Sequence, residues 1–524
     1  MTVTEAPART TARAAVRVPE PVGRGTLAPP SEDEKLRYAD RHLWVLQAGS
    51  AISFGTLLAS QIFFVMLSPW LLLLAPLLAF GVLYYLISVV VNAGTPGFDM
   101  RAHRRLVRDN TAHPSVDVFL PVCGEPPEVL ANTWRYVLRM KRHYPGRVDV
   151  HVLDDSPTAD LARAALRHGF IYQRRLNRGW YKKAGNLRYA YRRSAGELIL
   201  VLDADFAPRH DLLDELVPHL VADRTLGIVQ SPQFFRVEAG QGWLQRGAGA
   251  VQELFYRLIQ VSRQQHGAAI CVGSCAVYRR AALDAIGGST LIEHSEDVHT
   301  GFDMRRKGWG LRYVPIPLAA GLCPADLRSF FTQQYRWCTG SLSLLGSTKF
   351  WNTRMSFRAR LSYLSGFCYY LHTAIFAVAA PVIPVLMLTV FVEYVSLRNY
   401  LLILPSTLYN LVVFPAWHRC RYSFETWTTK LVYGWAHFWA VCDIVRQRRM
   451  GWQATGGQVR RNRTARLRIG IAVWTAGSTA VWTVLAARQM LIGDLWAFLP
   501  AFLAGAFFLT VALQALLVDP AADT

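Results

Sequence analysis

Two pairs of carboxylates carry the first chemistry in this chain. Asp154-Asp155 and Asp203-Ala204-Asp205 each follow directly on a short apolar run. Adjacent carboxylates repel, so each pair needs a cation or a hydrogen-bond donor to meet it. The Asp-x-Asp spacing of Asp203 and Asp205 offers hard oxygen ligands to one divalent ion, Mg2+ or Mn2+, which would bridge to a diphosphate. One such pair in a turn reads as a helix N-cap. Two of them at the ends of successive apolar runs, together with Lys183-Ala184-Gly185-Asn186, read as a site.

Two more clusters lie downstream. His294-Ser295-Glu296-Asp297-Val298-His299 opens a helical pattern that runs to Lys307. Acidic residues in a first helical turn complement the helix dipole even where they do no chemistry. His294 and His299 do not share a helical face, so a zinc pair is not expected there. Gln333-Gln334-Tyr335-Arg336-Trp337 sits in a helical pattern just before an apolar run, where a tryptophan taken alone reads as a membrane anchor. The eight cysteines include no Cys-x-x-Cys and read as reduced, mostly buried thiols.

The elements that must position these residues alternate. Val116–Pro121, Val148–Leu153 and Glu197–Leu202 are near-continuous apolar runs, the pattern of parallel strands covered on both faces. Helical patterns fill the gaps, as at 158–168 and 211–217. The expected fold class is therefore α/β, doubly wound, whose ligands sit at the carboxyl ends of the strands. Both acid pairs stand at those ends.

Charged residues make up 18% of the chain and apolar residues 52%, which excludes an ordinary soluble enzyme and a disordered chain. The net charge of +21 points to nucleic acid or to an anionic membrane surface. The mean hydropathy of +0.18 decides for the membrane. No nucleic-acid partner is expected, because the basic residues flank apolar runs and are not interleaved with aromatics. Runs at 44–66, 69–93, 367–390, 399–417, 469–488 and 493–517 are long enough for the ~20 residues that cross a bilayer. The stretch 427–445 contains Lys430, His437 and Asp443. Letting it span would put the arginine-rich stretch 446–468 outside, so it is expected to be an amphipathic interfacial helix. The organisation expected is a disordered cytosolic tail at 1–40, transmembrane helices one and two at 41–96, and a cytosolic α/β domain at 97–350. Transmembrane helices three to six then occupy 351–524, giving six in all with both ends cytosolic.

Taken in order, the motifs resemble those of the processive family 2 glycosyltransferases, the family of the bacterial cellulose synthase catalytic subunits. The family pattern of Asp-Asp, Lys-Ala-Gly-Asn, Asp-x-Asp, Thr-Glu-Asp and Gln-x-x-Arg-Trp reads here as Asp154-Asp155, Lys183–Asn186, Asp203-x-Asp205, Ser295-Glu296-Asp297 and Gln333-x-x-Arg336-Trp337. Further likenesses are Val229–Phe235, Glu253–Tyr256 and Gly273–Arg280. The resemblance spans roughly residues 70–520.

It implies a GT-A-type domain set between membrane helices two and three in a plasma or inner membrane. It implies a UDP-sugar donor, a growing polysaccharide chain and the lipid bilayer as partners, and leaves room for an accessory secretion subunit. UDP-glucose and a β-glucan are the leading reading, with cellulose first and curdlan or mixed-linkage glucan after it. A hyaluronan-, chitin- or poly-N-acetylglucosamine-type synthase is the alternative, and a pure transporter would have no use for the acid pairs.

By resemblance Glu125, Asp154, Asp155, Lys183, Asp203, Gln333 and Arg336 bind the nucleotide, and Asp203 and Asp205 hold the metal. Asp297 is the general base beside Glu296, while Trp337, Val272 and Phe234 face the acceptor. Trp452 and Thr455 belong to a gating segment that lacks the family lysine. Three departures stand out: Ser295 for Thr, Val272 for the acceptor-facing Cys, and Cys123-Gly124 in the first motif. Few residues follow the last apolar run, so no C-terminal cyclic-di-GMP-binding domain is expected.

Overall fold

Apolar runs without polar alternation make strands that must be covered on both faces, and three of them build the centre of the sheet. The computed structural model describes residues 27–39, 43–156, 161–448 and 464–520. In it β1 (Val116–Val122) lies parallel between β2 (Val148–Asp154) and β4 (Leu198–Val201), and β3 (Ile171–Gln173) extends the sheet beyond β2. Val116 stands opposite both Val148 and Leu198, so the three carboxyl ends fall close together. Alternate residues face opposite layers: Val118, Leu120, Val150 and Leu200 pack on one side with Trp134 and Leu216. Phe119, Ile199 and Val201 pack on the other with Ile228 and Met304.

The parallel expectation holds for these four strands and is corrected at one strand, β8 (Ala276–Arg279). Beyond β4 the sheet continues through β8 to β6 (Leu226–Gln230) and β9 (Gly310–Tyr313). β8 runs antiparallel to both of its neighbours, so the sheet is mixed. The reversal has a consequence for the site. Ala276 at the start of β8 pairs with Val201 at the end of β4, which brings residues 270–275 beside Asp203. Three short strands, β5 (Ala207–Pro208), β7 (Phe234–Phe235) and β10 (Ala319–Gly321), form a small second sheet.

Five helical stretches among the described residues are long and apolar enough to cross a membrane: Leu43–Met66, Pro69–Asn92, Phe357–Thr389, Ala465–Ile492 and Leu495–Leu517. The α/β layers lie between the second and third of these in chain order. The sixth expected span, 399–417, is broken into a 3-10 turn at Leu397–Leu402 and a bent helix over Leu404–Trp417. Pro405 and Pro415 each remove a backbone donor there, and the bent helix is only fourteen residues long.

The helix expected at 427–445 is not among the five candidate spans and lies among other helices. Phe424–Val445 is encased by protein, packed on Trp243–Leu254, Leu327–Leu345, Phe357–Ala379 and Leu495–Leu517. Small residues such as Thr426, Thr429, Gly434, Ala436 and Ala440 let those neighbours approach.

The tail expected at 1–40 is likewise folded where it is described. Residues 32–37 form a helix whose cap, Ser31, exchanges hydrogen bonds with Glu34, and Leu27, Lys35 and Tyr38 are buried against the α/β domain. Residues 1–26 lie outside the described residues.

Candidate active site

β4 delivers Asp203 and Asp205 into a cleft at the carboxyl edge of the sheet. The Asp203 amide donates to Ser274 Oγ at 2.9 Å. Lys183 Nζ donates to Asp203 Oδ1 at 2.5 Å and to the Gly273 carbonyl at 2.8 Å, and lies 3.9 Å from Glu296 Oε1. Against the cost of burial, Asp203 and Glu296 hold the Lys183 ammonium well above its usual range. Lys183 therefore ties three separate segments together.

Asp205 is solvent-exposed yet ringed by protein. That crowding, with the Asp203 and Glu125 carboxylates, pushes its pKa up to about 7. Glu125, just past β1, accepts from the Cys123 amide at 2.7 Å, and burial with Asp203 and Asp154 raises its pKa as well. Glu125 thus stands between the two acid pairs.

Asp297 enters from the other side, in the first turn of the helix Glu296–Arg306. Ser295 before it is left-handed (φ 53°), which turns the helix start toward the cleft. The Asp297 carboxylate accepts from the Val298 amide at 2.8 Å, and burial and Glu296 raise its pKa to about 7, opposed by Lys183. Gly273 has φ +72°, and a Cβ there would come within 2.7 Å of Asp297 Oδ2. Only glycine permits that approach.

Gln333, Arg336 and Trp337 share one face of the helix Leu327–Leu345, at i, i+3 and i+4. Gly340 continues that face and abuts Ser295, and Arg336 lies near enough to interact with Glu296, Asp203 and Asp297. A Cβ on Gly340 would sit 2.0 Å from Ser295 Oγ. Gly340→Ala should therefore lower the melting midpoint of the detergent-solubilised chain by an overpacking cost of ~1–3 kcal/mol. Ser295→Gly in the same chain should restore most of the loss; an unchanged midpoint in Gly340→Ala would disprove the contact.

Asp154 and Asp155 are each paired with an arginine. Asp154 is fully buried, with its oxygens accepting from the Ser156 amide (2.8 Å), Tyr172 Oη (2.6 Å) and Arg174 (2.7 Å). Asp155 forms a two-pronged pair with Arg175, which also donates to the carbonyls of Trp180 (2.7 Å) and Lys182 (3.0 Å). Those carbonyls frame two left-handed residues, Tyr181 and Lys182, that aim Lys183 into the cleft. Sequence reasoning missed both arginines. The signal available was their place directly after β3, at the same sheet edge as the acid pair.

The loop at 270–273 is held by three glutamines: Gln230 and Gln233 of the Val229–Phe235 likeness, and Gln260, which sequence reasoning missed. Gln230 donates to the Ile270 carbonyl and accepts from the Val272 amide (3.1 Å), Gln260 bonds both Ile270 backbone groups, and Gln233 donates to the Val272 carbonyl at 3.2 Å. Val272 and Phe234 pack in one cluster with Tyr256. Trp452 and Thr455 lie outside the described residues.

Among the described residues, no three His, Cys, Asp or Glu side chains form a shell that could hold a metal. Asp203 and Asp205 could hold a hard dication only with other oxygens completing its coordination. Their crowding with Glu125 fits such an ion, because a cation relieves the mutual repulsion that raises the Asp205 pKa.

Residues 198–417 match the family model described as Glycosyl transferase family group 2. That stretch includes Asp203, Asp205, Gly273, Asp297 and Arg336, whereas Glu125, Asp154, Asp155 and Lys183 precede it. The chain is 34% identical over 235 residues to a cellulose synthase catalytic subunit (UDP-forming) of Komagataeibacter sucrofermentans, covering 44% of this chain and 31% of that protein. It is 32% identical over 239 residues to the corresponding subunit of Xanthomonas axonopodis pv. citri, covering 45% of this chain and 32% of that one. The match thus spans about a third of these relatives' length. Among solved structures, a mannosyltransferase from Pyrobaculum calidifontis in complex with GDP-Man and Mn2+ superposes with a TM-score of 0.48 at 17% identity, covering 70% of this chain and 99% of that one.

Proposed function

We propose, from the premise that residues 198–417 form a family 2 glycosyltransferase domain, that this chain polymerises glucose from UDP-glucose into a β-glucan and passes it across a membrane. The observation that carries the reading is convergence. Asp203, Asp297 and Arg336 come from three distant segments and converge, with Lys183 and Gly273 between the two carboxylates. The similarity to cellulose synthase catalytic subunits supports glucose as the sugar.

In this reading Asp203 and Asp205 would hold Mg2+ or Mn2+, which would supply positive charge to stabilise the leaving UDP. Glu125, Arg336 and Gln333 border the donor, and Lys183 exchanges its hold on Asp203 for the phosphates. Asp154 and Asp155 act through Arg174 and Arg175, shaping the loop on which the nucleotide rests. Asp297 takes the proton of the acceptor hydroxyl as that oxygen attacks the sugar from the face opposite UDP, which inverts the linkage. Trp337 stacks on the terminal acceptor sugar, with Val272 and Phe234 behind it. The apolar helices support a plasma or inner membrane location, and in this reading the α/β layers face the cytosol, where nucleotide sugars are made.

Membranes containing the chain, incubated with radiolabelled UDP-glucose or UDP-N-acetylglucosamine, test the proposal. Incorporation from UDP-glucose into polymer cut by a β-1,4-glucanase is expected. Incorporation from the N-acetyl sugar alone would replace the glucan reading with the amino-sugar one.

A pH dependence follows from the raised carboxylates. The reactive form of Asp297 is the ionised one, and its pKa is raised from 3.8 to about 7. The rate is therefore lost as pH falls through about 7 and levels off above it. Below that point it should approach tenfold per pH unit. The profile must be taken at saturating dication, because Asp205 also titrates near 7 and its protonation weakens metal binding. A flat profile between pH 5.5 and 8 would remove a raised-pKa base from the step.

A further inference from the structure

We infer that the segment Leu27–Tyr38 is a tie between the first apolar helix and the acceptor side of the site, with Tyr38 a positioning residue for the loop Ile270–Gly273. The inference rests on the proposed role of Phe234 and Val272 at the acceptor.

The segment is fastened along its whole length. Asn132 donates to the Leu27 carbonyl at 2.8 Å, and Arg209 donates to the Pro30 carbonyl and to Glu32, each at 2.7 Å. Glu34 accepts both prongs of Arg236 at 2.8 Å. Lys35, only 7% exposed, donates to Asp211 at 2.7 Å and to Glu215. The Lys35 pair with Asp211 and Glu215 is largely buried and holds one geometry, since losing either partner strands the other. Four residues after Ala39 the helix Leu43–Met66 begins.

The inner end of the segment reaches the site through an unbroken run of contacts. Tyr38 is 5% exposed, and its carbonyl accepts from Arg257 Nε at 3.2 Å. Its ring stands edge-on to Phe234, 5.7 Å between centroids at 84°. Both belong to the cluster that contains Tyr256 and Val272. Tyr256 Oη donates to Gln233 at 2.8 Å, and Gln233 donates to the Val272 carbonyl at 3.2 Å. The next residue is Gly273, which touches Asp297 and whose carbonyl accepts from Lys183. Arg236, held by Glu34, follows Phe234-Phe235 directly, so Phe234 is fixed from both the ring side and the chain side. A shift of Tyr38 is thereby carried first to Phe234 and Val272, the wall against which the acceptor would lie, and reaches Asp203 only at the far end of the run, through the Gly273 carbonyl and Lys183. This predicts control over how long the acceptor stays, and so over product length.

The test uses the full chain in proteoliposomes. Tyr38→Leu keeps apolar volume and removes the ring. It should shorten the product about fivefold, the size expected from one lost edge-to-face contact, with the KM for the UDP-sugar within about twofold. Amide exchange at Ile270 and Val272 should quicken in the same variant. Glu34→Arg and Arg236→Glu should each shorten the product, and the two together should restore it. Wild-type length and exchange in Tyr38→Leu would overturn the inference, as would a lower kcat at unchanged length, the mark of a merely structural role. A wild-type chain that made no polymer would instead remove the functional reading, and the exchange measurement would still decide the tie.

Discussion

Asp297→Asn is expected to lower polymer synthesis about a hundredfold or more while UDP affinity stays within a few-fold. General base catalysis contributes ~100- to 10,000-fold, and asparagine cannot accept the proton. The substitution is nearly isosteric, and its side-chain oxygen still accepts from the Val298 amide as Asp297 does. The approach of Gly273 remains, so the fold has no reason to change. One side effect has a known sign. Removing this carboxylate relieves its repulsion with Glu296, which leaves Lys183 shared between Asp203 and Glu296 alone. Nucleotide binding should therefore hold or tighten slightly. Initial rates of sugar incorporation, paired with titration of UDP by calorimetry, check both halves. A variant keeping more than a tenth of the wild-type rate would exclude Asp297 as the base.

The parts of this site that were legible in the sequence share one property: their signal is local. Asp203 and Asp205 follow an apolar strand directly, and the strand-end rule places them without knowledge of any partner. Gln333, Arg336 and Trp337 share a face because helical spacing alone puts them there. What the sequence hid depends on pairing between distant segments. Nothing in Ala276–Arg279 marks it as antiparallel, yet that reversal sets Gly273 and Ser274 against Asp203. Arg174 and Arg175 read as two surface charges until the fold turns them onto Asp154 and Asp155. The surroundings of the helix Phe424–Val445 were hidden for a different reason. Its mixed polar and apolar composition suits an interface between water and lipid, and it equally suits a helix packed among others that meet several of its polar groups, as Thr373 meets His437 Nδ1 at 2.7 Å. Residues 27–38 carry few apolar side chains and hold their place by charge, which hydropathy does not register.

Removing the divalent ion is expected to abolish synthesis, and Asp205→Ala to do the same by destroying the ion's seat. Three carboxylates, Glu125, Asp203 and Asp205, face one cleft, and Lys183 meets only Asp203. The surplus negative charge shows in the raised pKa values of Asp205 and Glu125. A UDP-sugar brings more negative charge into the same space, so the donor cannot settle there unless a dication enters with it. Asp203 and Asp205 would supply hard oxygen ligands of the kind Mg2+ or Mn2+ prefers. The described histidines and cysteines offer no substitute cluster. Asp205→Ala should therefore weaken Mn2+ binding in the presence of UDP about a hundredfold, read from the paramagnetic signal of the free ion. The rate should not recover at any dication concentration that leaves the wild type fully active. Excess EDTA should bring wild-type incorporation to background, and restoring Mg2+ or Mn2+ should return it. Asp205→Asn separates charge from coordination: it keeps one oxygen ligand and relieves the repulsion, so it should retain more ion binding than alanine and less than aspartate. Undiminished synthesis in excess EDTA would show that Lys183 and Arg336 neutralise the leaving UDP unaided, and the cleft would then have to hold its surplus carboxylates in protonated form.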